Sequence, residues 1–371
     1  MTDVVHFEEL GCANGKRLGL ARLNSEKSLN ALSQSMIDRL APQLQAWEQD
    51  DGIAMVILEG AGEKAFCAGG DVRALYQALC EAPDNGGEAV KDFFVSEYRL
   101  DYQIHCMTKP VLIWGHGIIM GGGLGLMSGA SHRVVTETAR IAMPEITIGL
   151  YPDVGGTYFL SRMPGKSGLF LGLTGASINA ADALYVGLAD HFVSFDDKGA
   201  LIDALCNVNW GSTTSLNHQK LGDVLGGFES QARVKLPRGQ VKAHQGEIDR
   251  LCDGELAEVV ARIGALETDD KWLVRARDGL RHGSPLTAHI VYRQLQLGGE
   301  MSLADCFRLE AGLSYRCGEL GEFREGVRAL LIDKDMKPNW RFKSVMAVDA
   351  EVLEHCFASP WPQDQHPLKD M

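Results

Sequence analysis

Two carboxylates eight residues apart are the first candidates for chemistry. Glu145 and Asp153 lie in segment 142–157, Ala-Met-Pro-Glu-Ile-Thr-Ile-Gly-Leu-Tyr-Pro-Asp-Val-Gly-Gly-Thr. A continuous helix would separate them by about 12 Å along its axis, but Gly149 and Pro152 argue against one, so the chain can fold back and bring both acids to one pocket. The apolar neighbours would raise a carboxyl pKa, which suits acid–base catalysis. The alternative is structural, with Asp153 as a helix cap and Glu145 as a surface acid.

Backbone N–H groups in two glycine-rich segments are the second candidates. Segment 66–71 is Phe-Cys-Ala-Gly-Gly-Asp, segment 116–125 is His-Gly-Ile-Ile-Met-Gly-Gly-Gly-Leu-Gly, and each precedes a predicted helix. Glycines at a helix start leave N–H groups open to a ligand and favour negative charge, including a developing oxyanion. The alternatives are a plain turn with Asp71 as a helix cap, and close packing of a helix on a strand.

Two reactive side chains in these segments favour structural roles. Cys67 has no His in its segment to activate it, so we interpret it as a small buried residue. His116 is interpreted as a hydrogen-bonded core histidine. The second segment is not a dinucleotide-binding fingerprint, since Leu126 stands where a glycine is needed, and it lacks the Gly-Lys-Ser/Thr of a Walker A loop.

The elements that must position these residues alternate between strands and helices in the first half of the chain. Ser33 can cap a helix in which apolar residues from Met36 to Trp47 recur at helical spacing, and another helix is predicted near 88–107. Alternating or continuous apolar runs predict strands at 4–9, 17–23, 53–58, 109–114 and 133–136. This order indicates an α/β or spiral architecture.

The character of the chain changes near residue 195. Residues 196–254 are polar and include a loop-like stretch at 209–217. Helical patterns then dominate, at 255–266, 273–281, 286–297 and 303–320. We therefore predict an α/β core with the active site at 1–195 and a mostly helical C-terminal region at 196–371.

Composition and charge exclude several functional classes. The chain has 371 residues, 45% hydrophobic and 23% charged, as in a globular protein that can bury a core. No apolar run approaches the roughly 20 residues that span a bilayer. The net charge of −13 disfavours nucleic acid and anionic membranes as partners. It leaves a small anionic substrate open, because a local basic cluster can hold a phosphate.

The cysteines and the N-terminal residues predict a cytoplasmic location. Nine cysteines form no CxxC pair and are odd in number, which fits reduced thiols better than disulfides or a zinc site. The first residues, Met-Thr-Asp-Val-Val-His, show neither a basic start nor an apolar signal segment.

Together, the three segments resemble the enoyl-CoA hydratase/isomerase (crotonase) superfamily over about residues 17–342. The resemblance implies a crotonase-like spiral of repeated ββα units with a mostly helical C-terminal region. It also implies that the backbone N–H groups of Gly70 and Gly122 form an oxyanion hole. Segment 27–32, Lys-Ser-Leu-Asn-Ala-Leu, is similar to the superfamily's N-terminal signature, which lies near the CoA moiety.

Two departures from the hydratase pattern point to a different reaction. Hydratases of the superfamily carry a glutamate two residues after the glycine triplet, where this chain has Gly125, and a glycine where it has Asp153. This exchange is similar to the thioester-hydrolase branch, as is segment 325–335, Glu-Gly-Val-Arg-Ala-Leu-Leu-Ile-Asp-Lys-Asp. The resemblance implies hydrolysis of a short 3-hydroxyacyl-CoA, with 3-hydroxyisobutyryl-CoA, an intermediate of valine catabolism, as the expected substrate.

The resemblance also implies roles for particular residues. Glu145 would activate a water molecule or attack the thioester carbonyl itself. Asp153 and Glu97, which lies in the helix before the third strand, would hold the 3-hydroxyl group. The expected substrate-binding residues are Glu97, Gly70, Asp71, Val72, Arg73 and Gly122.

Other readings stay open. The chain could be an enoyl-CoA hydratase or isomerase, although Gly125 removes one acid–base group. It could also be a non-catalytic CoA-binding protein. RNA binding, known among crotonase relatives, is disfavoured by the charge of −13. We expect no metal and no cofactor beyond the CoA of the substrate. A homo-oligomer is a further expectation, since crotonase relatives often form trimers or hexamers, but the C-terminal extension can cover that surface, so the oligomeric state stays open.

Overall fold

A computed structural model describes residues 3–371 as nine strands and sixteen α-helices, with short 3₁₀ turns and one π-helical turn between them. The strands are β1 Val5–Gly11, β2 Arg17–Leu23, β3 Ile53–Gly60, β4 Ala65–Cys67, β5 Val111–Gly115, β6 Ile118–Met120, β7 His132–Val135, β8 Arg140–Ala142 and β9 His191–Phe192. The helices are α1 Gln34–Gln49, α2 Val72–Glu81, α3 Gly86–Cys106, α4 Gly122–Gly129, α5 Gly156–Leu160, α6 Ser167–Thr174, α7 Ala180–Val186, α8 Lys198–Cys206, α9 Thr214–Ala232, α10 Gln245–Leu251, α11 Leu256–Gly264, α12 Lys271–His282, α13 Pro285–Gly298, α14 Leu303–Leu320, α15 Glu322–Val327 and α16 Ala350–Phe357.

Six strands form a long sheet in the order β1-β2-β3-β5-β7-β9. Only β1 runs antiparallel to its neighbour, and each later pair is parallel. All eight residues of β3 are buried, as expected for a continuous apolar strand between covered faces. The five predicted strands are confirmed, with ends shifted by at most two residues.

Three shorter strands form a second sheet in the order β4-β6-β8. Each strand pair along the chain, β3–β4, β5–β6 and β7–β8, therefore gives one strand to the long sheet and one to the short sheet. A helix follows each of the first two pairs, which confirms the crotonase-like α/β fold with ββα units. The sequence did not predict the short strands, because three residues carry no readable periodicity.

The chain divides into two compact units, each built from three segments. Unit 1 contains residues 3–70, 100–141 and 178–239, and unit 2 contains residues 71–99, 142–177 and 240–371. The sequence placed one boundary near residue 195, and that division stays a prediction. Helices α8 and α9 lie beyond residue 195 in the sequence but belong to unit 1.

The core of unit 1 lies between the long sheet and helices α8 and α9. Leu20, Ile57 and Trp114 on the strands pack with Leu205 and Leu221 of these helices. The interpretation of 209–217 as a loop is wrong in its last part, because α9 begins at Thr214. Glycines within α9 weaken the helical pattern in the sequence, and burial of one helix face compensates for them.

Helix α1 has the N-cap and the buried apolar face that its sequence predicted. The Ser33 hydroxyl accepts a hydrogen bond from the N–H of Met36 at 3.3 Å, the N-cap that the sequence predicted. The five apolar residues at helical spacing, Met36, Ile37, Leu40, Leu44 and Trp47, are all buried. In unit 2, helices α11, α12, α13 and α14 confirm the four predicted C-terminal helices to within two residues.

Candidate functional site

Unit 1 places the two glycine segments at the same edge of the short sheet. Strands β4 and β6 are parallel neighbours, Gly70 follows β4 by three residues, and Gly122 follows β6 by two. Gly122 is the first residue of α4, so its N–H lies ahead of the intrahelical hydrogen bonds. Gly70 bridges to Leu32, but the hydrogen bond there runs from the Leu32 N–H to the Gly69 carbonyl at 2.8 Å and does not use the Gly70 N–H.

Helix α4 can approach β4 closely because its second residue is a glycine. A Cβ atom at Gly123 would lie 2.2 Å from the carbonyl oxygen of Cys67, which backbone atoms cannot accommodate. Close packing, one of the two interpretations of the glycine triplet, is therefore confirmed within unit 1, and the use of its N–H groups for an oxyanion stays a prediction. The triplet permits close packing of the helix on a strand, and the packing puts the N–H of Gly122 at the edge that carries Gly70.

The N-terminal signature segment supports the loop after β4. Asn30 is fully buried, and its amide donates to the carbonyl oxygens of Ala61 and Ala65, both at 2.9 Å. The N–H of Ala68 donates to the carbonyl of Leu29 at 3.1 Å. Leu29 and Asn30 both have φ of 55°, in the left-handed region that tight turns use. In unit 1, this segment holds the backbone around Gly69 and Gly70.

Three predicted structural roles in these segments are confirmed. The carboxylate of Asp71 caps helix α2 by accepting from the N–H of Ala74 at 3.2 Å. His116 is fully buried and contacts the carbonyl oxygens of Trp114 and Gly62 at 3.4 and 3.0 Å. Cys67 is fully buried. Asp71, Val72 and Arg73, which the sequence assigned to substrate binding, lie at the start of α2 in unit 2.

Glu145 is the first residue of a 3₁₀ turn, Glu145–Ile148, and only 4% of its surface is exposed. Gly149 ends the turn with φ of 68°. The surface role considered for Glu145 is therefore wrong, and the expectation that the chain between Glu145 and Asp153 is not a continuous helix is confirmed. Ser284 supports the turn from α13, because its N–H donates to the carbonyl of Ile146 at 2.9 Å.

Segment 325–335 packs against this turn through helix α15. A Cβ atom at Gly326 of α15 would lie 2.3 Å from the carbonyl carbon of Ile148, so only glycine lets α15 lie against the turn. Arg328 then ties the segment together through ion pairs with Glu325 at 2.8 Å and Asp333 at 2.6 Å. The motif is thus a structural support for the turn that carries Glu145.

Asp153 lies in a loop that buried polar groups hold from both sides. The Gln294 amide donates to the carbonyl of Pro152 at 2.9 Å. The carboxyl group of Glu310 accepts from the N–H groups of Gly155 at 2.8 Å and Thr157 at 2.9 Å. Asp153 does not cap helix α5, whose N-cap residue is Gly155, so the capping role considered for it is wrong.

Three carboxyl groups of unit 2 form one buried, interacting cluster. Glu97, Glu145 and Asp153 are 2%, 4% and 3% exposed. Burial, and then the charges of Asp153 and Glu145, raise the pKa of Glu97 well above its usual value. Burial and then Asp153 do the same for the pKa of Glu145. The structure therefore brings together the three acids that the sequence singled out.

Asp153 differs from the other two acids in having a side-chain hydrogen-bond donor. The hydroxyl of Tyr98 donates to Asp153 Oδ2 at 2.7 Å. Burial raises the pKa of Asp153 to about 7, while this hydrogen bond acts in the opposite direction. By contrast, Glu97 Oε1 and Glu145 Oε2 are buried without a hydrogen-bond partner among residues 3–371. The hydrogen bond from Tyr98 thus favours the ionised form of Asp153.

Several residues of the site escaped sequence reasoning. Tyr98, Gln294, Glu310 and Ser314 are all fully buried polar residues on helices α3, α13 and α14. A polar residue on the buried face of a helix interrupts the apolar pattern, and this is the only local signal it leaves. Such a signal gives no partner, since the loop at Asp153 lies more than a hundred residues from α13 and α14 in the sequence.

Residues 3–371 contain neither a metal-binding cluster nor a helix that could span a membrane. No group of three or more His, Cys, Asp or Glu side chains in this range is arranged to hold a metal ion. No helix in the same range has the length and apolar character needed to cross a membrane. The expected independence from metals stays a prediction.

Comparison with known proteins gives the family. A sequence model of the enoyl-CoA hydratase/isomerase family matches residues 18–357. The chain belongs to the enoyl-CoA hydratase/isomerase family. Its relatives include proteins named 3-hydroxyisobutyryl-CoA hydrolase, mitochondrial: the Danio rerio protein is 38% identical and the Homo sapiens protein 36% identical, each alignment covering 96% of this chain and 89% of the relative.

Two crystal structures share the fold of this family member over nearly its whole length. An enoyl-CoA hydratase from Rhodobacter sphaeroides is 35% identical, with a TM-score of 0.81 over 95% of this chain and 97% of that chain. A carnitinyl-CoA dehydratase from Mycobacterium thermoresistibile is 32% identical, with a TM-score of 0.85 over 100% and 99%. These matches include the helical C-terminal region and confirm the fold that the sequence predicted.

Proposed function

We propose that this family member hydrolyses the thioester bond of a short 3-hydroxyacyl-CoA, with 3-hydroxyisobutyryl-CoA as its substrate. The observation that carries the proposal is the cluster of Glu97, Glu145 and Asp153 in unit 2. Burying three carboxyl groups together costs stability, so a role beyond folding is expected. The hydrolase names of the vertebrate relatives support the same activity.

Unpartnered carboxyl oxygens support recognition of a hydroxyl group. Glu97 Oε1 and Glu145 Oε2 are both buried without a partner among the described residues. A substrate hydroxyl or a water molecule can donate a hydrogen bond to such an oxygen and remove the cost of leaving it unpaired. We assign the 3-hydroxyl to Glu97 and Asp153, and the attacking water to Glu145.

The proposed reaction follows from these assignments. In its ionised form, Glu145 takes a proton from the water that attacks the carbonyl carbon, or attacks the carbon itself to form a mixed anhydride. The carbonyl oxygen becomes an oxyanion, for which we propose the N–H groups of Gly70 and Gly122 as donors; losing one such donor typically costs about 10²–10³-fold in rate. The C–S bond then breaks, and CoA leaves as a thiol with the proton that Glu145 took from the water. On the anhydride route the thiolate takes a proton from solvent, and a water molecule then hydrolyses the anhydride to release the acid and free Glu145. Asp153 orients the substrate throughout.

A panel of three CoA thioesters tests the proposal. Release of free thiol is measured with 3-hydroxyisobutyryl-CoA, with 3-hydroxypropionyl-CoA, and with isobutyryl-CoA, which lacks the hydroxyl group. We expect hydrolysis of both hydroxyacyl compounds, because one methyl group is worth only about 1–3 kcal/mol of discrimination. We expect kcat/KM to be at least about 100-fold lower for isobutyryl-CoA, because a carboxyl group would then stay unpaired.

Variants of two glutamates extend the panel. Glu145→Gln should lower turnover by about 10²–10⁴-fold with little change in KM, since it removes the proton acceptor and keeps the shape. Glu351→Gln is the matched control, because Glu351 is exposed on α16. Absence of thiol release from both hydroxyacyl compounds, or near-wild-type turnover of Glu145→Gln, would contradict the proposal.

Hydration of an enoyl-CoA is the second candidate, favoured by the names of the two solved structures. Gly125 argues against it, because this buried position on α4 carries no side chain where hydratases of the superfamily have a glutamate. Loss of the conjugated double bond of crotonyl-CoA measures this activity directly. Hydration without thiol release would replace our proposal with this one.

Location, assembly and cofactor use stay predictions. The relatives are named mitochondrial, which does not support the predicted cytoplasmic location, and cell fractionation would test it. The predicted homo-oligomer can be tested by sedimentation against the chain mass of 40.4 kDa. Activity of protein treated with a chelator and freed of small molecules would test the expectation that the reaction needs neither a metal nor a cofactor.

A further inference from the structure

Asp153 stands at one end of a buried chain of three hydroxyl groups. The Tyr98 hydroxyl donates to Asp153 Oδ2 at 2.7 Å and lies 2.7 Å from Ser314 Oγ. Ser314 Oγ lies 2.8 Å from the hydroxyl of Tyr151, which donates to the backbone carbonyl of Glu310 at 2.7 Å. The three hydroxyl-bearing residues are fully buried.

The number of protons in this chain depends on the state of Asp153. The chain has four contacts, and its three hydroxyl groups supply three protons. When Asp153 is ionised, Tyr98 and Tyr151 donate outward at the two ends, and Ser314 can fill only one of the two inner contacts. When Asp153 Oδ2 carries a proton, four protons fill four contacts in one direction, from Asp153 to the carbonyl of Glu310.

The two states therefore gain in different ways. The ionised state gains a charge-assisted hydrogen bond from Tyr98, which is roughly twice as strong as a neutral one. The protonated state gains the fourth hydrogen bond of the chain. No other acid in the cluster is coupled to the chain in this way, since Glu97 Oε1 and Glu145 Oε2 have no partner among residues 3–371.

The same chain fixes the orientation of the Asp153 side chain. Tyr98 is held by aromatic packing against Phe94, with ring centroids 5.9 Å apart, and against Phe307, 5.6 Å apart. This packing holds the Tyr98 phenol in place, and its hydroxyl donates a hydrogen bond to Asp153 Oδ2. The titratable groups that interact with Asp153 are Glu97 and Tyr98 on α3, Glu145 and Tyr151 on the preceding turn and loop, and Glu310 and Cys317 on α14.

We propose that Tyr98 and Ser314 are positioning residues of the hydrolysis, which fix the Asp153 carboxyl group and decide together whether it holds a proton. This inference rests on the proposed function. Tyr98 favours the ionised state by donating to Oδ2. Ser314 favours the protonated state, because its contacts with Tyr98 and Tyr151 are both hydrogen bonds only when the chain holds four protons. Neither residue needs to touch the substrate.

The first test is the pH dependence of kcat/KM for 3-hydroxyisobutyryl-CoA with the full chain. Tyr98→Phe keeps the ring and removes only the hydroxyl group. The acid limb includes the ionisation of Asp153, which accepts the substrate's 3-hydroxyl group in the proposed reaction. We expect this limb to move up by about 1–2 pH units, because a hydrogen bond to a charged group is worth about 1.5–3 kcal/mol. Activity should fall at least about tenfold at pH 6.5 and recover above pH 9. Tyr292→Phe, at a half-buried phenol on α13, should leave the limb unchanged.

Ser314→Ala tests the direction of the effect. Without Ser314, two contacts remain for the hydroxyl protons of Tyr98 and Tyr151, so ionised Asp153 no longer leaves a contact unfilled. We expect the acid limb to move to lower pH, opposite to Tyr98→Phe. An upward or absent shift would overturn the role of Ser314. A loss of activity in Tyr98→Phe that is equal at every pH would overturn the role of Tyr98.

A second measurement does not depend on catalysis. Thermal unfolding of the wild type and of Tyr98→Phe is followed from pH 5 to pH 9. The hydroxyl gives a charge-assisted hydrogen bond only to the ionised form of Asp153, and its loss leaves a buried charge without this donor, so the difference in Tm should grow as pH rises through 7. A difference that is constant with pH would mean that Tyr98 contributes packing alone. If the wild type releases no thiol, the proposed function fails, and this measurement still decides the inference.

Discussion

Val154, immediately after Asp153, has an unusual backbone conformation. Its φ is 51°, in the left-handed region, and its β-branched side chain is buried. Such a conformation costs about 1–3 kcal/mol and persists only where the surroundings enforce it. Here the carboxyl group of Glu310 accepts from Gly155 and Thr157, and Gln294 holds the carbonyl of Pro152. These hydrogen bonds keep Val154 in its strained conformation, and they fix the loop that carries the Asp153 side chain.

Glu97 gives the prediction at the scale of a single residue. Burial raises the pKa of Glu97 in the folded protein. The contribution of Glu97 to the stability of the folded protein is therefore fully present at low pH, and it is lost as pH rises through the folded-state pKa. Glu97→Gln removes this loss. We expect the variant to be about 0.5–2 kcal/mol more stable than the wild type at pH 8, with little difference at pH 5, and to bind a 3-hydroxyacyl-CoA more weakly. Denaturant unfolding at the two pH values measures the first effect and KM the second.

Asp92→Asn is the matched control for Glu97→Gln. Asp92 lies on the same helix, α3, with 92% of its side chain exposed. Its replacement should leave stability within about 0.5 kcal/mol at both pH values. A Glu97→Gln variant that is less stable than the wild type at pH 8 would show that Glu97 has a structural partner we have not identified.

At the scale of elements, short turns carry the acids and longer helices hold the turns. Glu145 lies on a four-residue 3₁₀ turn that has too few hydrogen bonds to keep its own shape. Helix α15 lies against this turn, and α13 and α14 hold the loop at Asp153. The helical C-terminal region of unit 2 is therefore part of the support of the candidate catalytic residues.

Gly326→Ala tests this support. The added Cβ would lie 2.3 Å from the carbonyl carbon of Ile148, so helix α15 or the turn must move. We expect a loss of about 1–3 kcal/mol of stability, and a loss of turnover larger than the stability change explains, because the turn carries Glu145. Chemical denaturation and thiol release at a temperature where both proteins are folded measure the two effects.

Gly226→Ala in α9 is the control for the glycine substitution. A Cβ atom at Gly226 meets nothing within 4 Å, so alanine there should be neutral or stabilise the helix by about 0.5–1 kcal/mol. Its turnover should match that of the wild type. Equal turnover of Gly326→Ala and wild type would contradict the role assigned to α15.

At the scale of the whole molecule, buried and exposed acids act on stability in opposite pH ranges. Burial raises the pKa of five carboxyl groups: Glu97, Glu145, Asp153, Glu310 and Glu322. Arg133 holds the pKa of Asp190 below its usual value, and Arg308 and Ser302 do so for Asp305. A carboxyl group with a raised pKa makes the protein less stable as pH rises through that pKa. A carboxyl group with a lowered pKa makes it less stable as pH falls through that pKa.

These signs predict a maximum of thermal stability at about pH 5–6. The midpoint Tm should fall toward pH 9 as the buried carboxyl groups ionise, and fall below about pH 4 as the ion-paired ones are protonated. Calorimetry from pH 3 to 10, at low and at high salt, separates burial from the self-repulsion of a chain with charge −13, since only the latter is screened. A Tm that rises from pH 6 to pH 9 at both salt concentrations would contradict the prediction.

The family, the elements with clear periodicity and the main acids could all be predicted from the amino-acid sequence. Glu145, Asp153 and the two glycine segments lie in contiguous motifs, and helix α1 and strand β3 follow from local apolar patterns. Only the folded chain shows what holds the acids and which of them receives a side-chain hydrogen bond. Tyr98 and Ser314 are 216 residues apart in the sequence, and Gln294 is 142 residues from the carbonyl that it holds. A hydrogen bond over such a separation leaves no periodicity in the sequence, and a carboxyl pKa depends on burial and neighbours that only the folded chain brings together.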